Sequence, residues 1–142
     1  MTRKASFYLL SQDKPLDQYL FACRLCEKIL SQKLQAYIHM QTEELAHYMD
    51  DLLWSYRPES FLPHCLIDAD IDEEARIIIG YADNYQDKAD VLINFGQVLP
   101  PDPENFQRIV EIISSEESSR ALGRQRWQAY KEAGFELEKH EV

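Results

Sequence analysis

Glycine is scarce in this chain: there are four in 142 residues, and no two of Gly80, Gly96, Gly123 and Gly134 lie close enough to form GxGxxG or GxxxxGK[ST]. That speaks against nucleotide binding through either phosphate loop, because the backbone of those loops needs glycine to approach the ligand closely. Cysteine is also sparse, and three residues are an odd number for a disulfide framework. No apolar run approaches the ~18 residues of a membrane span. The opening MTRKASFYLL has too short an apolar part for a secretory signal. A cytoplasmic address without membrane attachment is expected. Basic charge is in deficit, with 15 Lys and Arg against 25 Asp and Glu, so a net charge of −10 repels nucleic acid at long range.

The remainder, 45% hydrophobic, is enough to build a core. Residues 6–10, 36–40, 76–81, 91–95 and 109–113 are short apolar or β-branched runs that read as strands. Residues 16–32 carry Leu16, Leu20, Cys23, Ile29 and Leu30 at helical spacing. A second helix follows Thr42, a good N-cap, and a third runs from a cap at Ser114 or Ser115 to about residue 133, with Gly134 where a C-terminal cap belongs. Strands alternating with helices predict a single α/β domain over residues 1–142. It should have three layers, with a mostly parallel central sheet and helices on both faces, Rossmann-like without a nucleotide-binding loop.

Most chemistry-bearing patterns in the sequence are incomplete. Cys23 and Cys26 form a CxxC in mid-helix, where buried structural thiols are expected rather than a redox or zinc pair, and His64-Cys65 gives poor spacing for completing a zinc site. Asp68, Asp70 and Asp72 begin like a calcium loop, but Glu73 stands where glycine is needed and Ile79 where the closing Glu belongs. A solvated acidic loop is the simpler reading. His47 ends a lone ExxH from Glu44, which does not make a di-metal site. No GxSxG or similar motif singles out a nucleophile. Neither a metal nor a cofactor is expected.

The third helix reverses the overall charge. Arg120, Arg124, Arg126 and Lys131 lie close together, and at ~100° per residue Arg120, Arg124, Trp127 and Lys131 fall within about 60° of one another. Leu122, Ala129 and Ala133 point the opposite way, which predicts that they face the sheet and that the cationic, aromatic stripe faces water. Guanidinium groups bind carboxylates through paired hydrogen bonds, and Trp and Arg dominate binding hot spots. The stripe fits an acidic peptide with an apolar end. Single-stranded nucleic acid stacking on Trp127 is an alternative that the net charge disfavours. A second candidate surface, residues 53–64, places Trp54, Phe61, Leu62 and Pro63 on a proline-stiffened loop.

Three segments together carry a resemblance. Ser-Phe-Tyr-Leu-Leu at 6–10, Leu-Trp…Glu-Ser-Phe-Leu-Pro-His at 53–64, and Arg-Gln-Arg-Trp-Gln-Ala-Tyr-Lys-Glu-Ala-Gly-Phe-Glu-Leu at 124–137 resemble the chi subunit of bacterial DNA polymerase III, in matching order over nearly the whole chain. The resemblance implies a non-catalytic clamp-loader accessory protein. Its partners would be the psi subunit and the acidic, phenylalanine-ended C-terminal tail of single-stranded DNA-binding protein, with a helicase as an alternative partner and no direct nucleic-acid contact. It places Arg120, Arg124, Trp127 and Lys131 at the tail, with Ile113 at the edge of an apolar pocket, and Trp54, Phe61, Leu62 and Pro63 at psi. Trp127 stands where relatives often have Tyr, and Gln128 replaces a common basic residue. The rival reading is a small enzymatic or nucleotide-binding α/β domain.

Overall fold

The structure is a computed structural model that describes residues 3–11, 14–56, 62–67, 75–82, 89–96 and 99–142. In chain order its elements are β1 (Lys4–Leu9), α1 (Pro15–Ser31), β2 (Ala36–Met40), α2 (Glu43–Ser55), β3 (His64–Leu66), β4 (Ile77–Tyr81), β5 (Ala89–Asn94), a 3-10 turn (Pro103–Asn105), β6 (Phe106–Ile113), α3 (Glu117–Glu132) and β7 (Glu136–Glu141). Among the described residues the strands form one seven-stranded sheet in the order β3-β4-β2-β5-β6-β1-β7. Every pairing is parallel.

Alternation along the strands divides the interior between the two faces. Tyr8, Ile38, Met40, Ile77, Ile79, Val91, Ile93, Val110 and Ile112 pack with Cys23, Cys26, Ile29, Met49 and Leu53 beneath α1 and α2. Phe7, Tyr37, Leu92, Ile109 and Ile113 pack on the opposite face with Tyr130 of α3 and Phe135 just after it. Sheets buried on both faces tolerate continuous apolar strands, and all five residues of β2 are buried.

Local signals explain the helix ends. Thr42 caps α2, its hydroxyl accepting from the Leu45 amide at 3.2 Å. Gly134, at φ 91°, ends α3 in the left-handed region that glycine adopts without strain. The start of α3 differs from expectation. Its N-cap is Glu116, without a side-chain cap bond. Ser114 is still in the strand-to-helix bend, where its amide donates to Ser119 Oγ at 3.1 Å. Sequence reading also missed β3, which is three residues long, and β7, whose charged sequence hides a strand.

The path of α3 over the sheet is set by strand order. The helix leaves β6 and returns in β7, and β1 lies between those two strands, so it crosses β1. Gly123 permits a close approach, since a Cβ there would meet Ile113 Cδ1 at 3.1 Å.

Candidate functional site

The side of α3 that meets the sheet is not the one the helical wheel predicted. Its buried residues are Gly123, Arg126 and Tyr130, while Leu122 is 39% exposed and Ala133 is exposed as well. The helix is rotated by roughly a quarter turn relative to an axis drawn through its apolar residues. The cause is a polar network. Glu111 of β6 accepts from Arg126 Nη1 at 2.5 Å, Tyr130 Oη at 2.7 Å and Asn94 Nδ2 at 3.0 Å, all buried. Burial pushes the Glu111 carboxyl up against the pull of Arg126, and it raises the Tyr130 phenol likewise. A buried charge needs a partner, so this network fixes the face of α3 more firmly than a few alanines could.

The rotation brings Trp127 to the boundary between core and solvent. Its ring lies 5.2 Å from that of Phe7, tilted by 60°, and it is half-buried rather than facing outward as the wheel had it. The indole forms part of a groove of about 450 Å³ whose other lining residues are Leu9, Ile113, Arg120, Gly123, Arg124 and Lys139. Leu9 and Ile113 are register partners on β1 and β6 and make the apolar floor. Arg120 donates through Nε to the Ser114 carbonyl at 2.9 Å and through Nη2 to the Leu10 carbonyl at 3.0 Å, which ties together the ends of the two strands. Arg124 reaches Glu117 at 2.7 Å on the exposed side of the helix.

Of the five residues expected at this surface, four line one groove and Lys131 does not. It is exposed and lies beyond the lining. Arg126, grouped with the stripe by sequence proximity, is committed to the core. Lys139 was missed because only the pairing of β7 with β1, Lys139 opposite Phe7, brings it to the groove. Chemically, the site offers cations around an apolar floor with an indole wall, a combination suited to a short anionic chain that carries an aromatic group.

The chain matches the family described as DNA polymerase III chi subunit, HolC, over residues 1–138. It belongs to that family. It is similar to the DNA polymerase III subunit chi of Pseudomonas aeruginosa, 34% identical over 142 residues and covering 100% of this chain and 98% of that one. The Escherichia coli DNA polymerase III subunit chi is 28% identical over 140 residues, covering 95% of each. Among solved structures, T4 UvsW shares the fold with a TM-score of 0.68 at 10% identity, covering 99% of this chain and 41% of its own. S. cerevisiae dbp5 follows at 0.62 and 7%, covering 97% and 42%. The chain thus spans about two fifths of those two structures, and at such identities the likeness concerns fold alone.

As a chi-family chain, it is a DNA polymerase III subunit in DNA replication. On the second expected surface of this family member, Trp54 is 56% exposed, with its ring 4.7 Å from that of His64. His64 is itself held, Nδ1 2.5 Å from the Leu62 carbonyl and Nε2 3.3 Å from Asp50 Oδ1. Pro63 is half-buried. Leu62, expected at a contact surface, is instead 5% exposed in the α1–α2 core. Phe61 and the acidic stretch 68–74 lie outside the described residues.

The remaining sequence candidates have structural places. Cys23 and Cys26 are buried in the core, and burial pushes the Cys23 thiol up to about 12 and the Cys26 thiol up as well, which leaves neither as a ready thiolate. His47 lies 3.8 Å from Glu43 one turn back on the exposed side of α2. Among the described residues, no group of three or more His, Cys, Asp and Glu could hold a metal ion. No described helix is long and apolar enough to cross a membrane.

Proposed function

We propose that this chain is a non-catalytic linker that joins the polymerase's clamp loader, through the psi subunit, to the acidic C-terminal tail of single-stranded DNA-binding protein. The observation that carries the reading is the groove beside α3, where Arg120, Arg124 and Trp127 converge over an apolar floor in a chain of net charge −10. The tail's aspartates and terminal carboxylate would meet the guanidinium groups, and its terminal phenylalanine would lie on Leu9 and Ile113 against Trp127. The psi subunit, or a helicase in its place, would sit on the surface around Trp54. The cytoplasm, where replication proceeds, is the compartment this role requires.

The test is fluorescence anisotropy with a labelled acidic peptide ending in phenylalanine. Saturable binding that weakens as salt rises is expected, because partly exposed charges are screened within ~8 Å at physiological ionic strength. Absence of saturable binding would remove the reading. A single-stranded oligonucleotide serves as the parallel ligand, and its binding in preference to the peptide would favour direct contact with nucleic acid.

A further inference from the structure

The groove has a wall that the helix does not supply. Lys139 stands on β7 in register with Phe7, and Glu141 stands two residues on in register with Leu9, so both share the sheet face that carries the groove floor. With Arg124 on α3 and Lys139 on β7, cations line the groove from two different elements. Each already holds a carboxylate of the chain itself. Arg124 Nη2 is 2.7 Å from Glu117 Oε1, with side chains 66% and 82% exposed, and Lys139 Nζ is 3.6 Å from Glu141 Oε1, with side chains 56% and 76% exposed. Arg120 differs, since it donates to backbone carbonyls that carry no net charge.

Exposed pairs of this kind are weak, because water screens both ions and both side chains lose freedom when they are held together. A ligand carboxylate that arrives with an aromatic group to bury on the floor gains apolar contact that Glu117 and Glu141 cannot supply. Resting on the tail-binding reading, we propose that the acidic chain end is gripped from two walls, by Arg124 and by Lys139, and that its carboxylates take these cations by displacing Glu117 and Glu141. The chain's own acids therefore hold the groove's affinity below what its cations would support. They also favour ligands with more than one carboxylate, since a single charge releases only one of the two internal pairs. Lys139 gives the site a cation beyond those of α3, on which Gln128 offers none.

The experiment is an anisotropy titration of the full chain with the labelled acidic peptide ending in a free phenylalanine carboxylate. Four variants are compared: Glu117→Gln, Glu141→Gln, Lys139→Gln, and Glu136→Gln, which makes the same charge change on β7 away from the groove. Glu117→Gln and Glu141→Gln are expected to bind about two- to five-fold more tightly than Glu136→Gln, and Lys139→Gln to bind more weakly than wild type by a similar factor. Carboxylate variants that match Glu136→Gln, or a lysine variant that matches wild type, would overturn the exchange while tail binding by the wild-type chain still stood. Failure of every form to bind would overturn both.

Discussion

Arg126 of α3 and Glu111 of β6 meet at 2.5 Å with side chains 6% and 1% exposed, so a full ion pair lies between the helix and the sheet. Removing one member leaves the other charged and buried. Arg126→Ala is therefore predicted to destabilise the protein by about 3–5 kcal/mol. The Glu111→Gln/Arg126→Met double variant should lose less than the two single losses combined. Urea unfolding of Arg126→Ala, of the single variants Glu111→Gln and Arg126→Met, and of their double measures both quantities, and additive losses would show that the pair does not act as a unit.

Gly134 carries φ 91°, with no atom within 4 Å of where a Cβ would stand. A substitution there meets backbone strain and no steric clash. Gly134→Ala should lower stability by about 1 kcal/mol and leave peptide affinity unchanged, as read by thermal unfolding and anisotropy on the same preparation.

Glu138 of β7 accepts from Lys4 and His140, and those bonds hold its carboxyl below the ordinary value of 4.5. A carboxyl depressed in the folded state stabilises the fold above its unfolded value, and that contribution is lost as pH falls through the folded value. The side chain is partly exposed, at 30%, and water screens its partners, so the effect is small, under ~1 kcal/mol. Stability of Glu138→Gln should accordingly fall less than that of wild type on acidification below 4.5. Identical acid limbs in the two unfolding series would contradict the assignment.

Trp54 and the groove at Trp127 are carried by different helices on opposite faces of the sheet. Trp54→Ala is predicted to reduce co-purification with a psi-like partner while peptide affinity stays within two-fold of wild type, about 0.4 kcal/mol. Phe61→Ala is expected to behave the same way. Loss of peptide binding in either variant would merge the two surfaces into one.

Much of this arrangement was legible in the sequence, and the exceptions have physical causes. The β2 residues Ala36–Met40 were delimited correctly because every one is buried, and only His39 interrupts its apolar residues. Thr42 announced α2 because its hydroxyl has a local task. By contrast, β7 runs Glu-Leu-Glu-Lys-His-Glu along a sheet edge, where charges discourage pairing with other chains and conceal the strand from any apolar pattern. The orientation of α3 was misjudged because its buried side contains an arginine and a tyrosine, whose burial depends on Glu111 fifteen and nineteen residues away. No period within the helix reports that dependence. Trp127 nevertheless belongs to the groove, because the rotation left the indole at its edge.

Tail binding in the groove brings the ligand against Trp127, and the chain has only two tryptophans. In a Trp54→Phe variant, Trp127 is the sole indole and its emission reports the groove directly. Titration with an acidic peptide ending in a free phenylalanine carboxylate is predicted to change that emission saturably, with a peptide lacking the phenylalanine binding at least ten-fold more weakly, about 1.4 kcal/mol. Peptide binding, seen by anisotropy, that leaves the Trp127 emission unchanged would contradict the account.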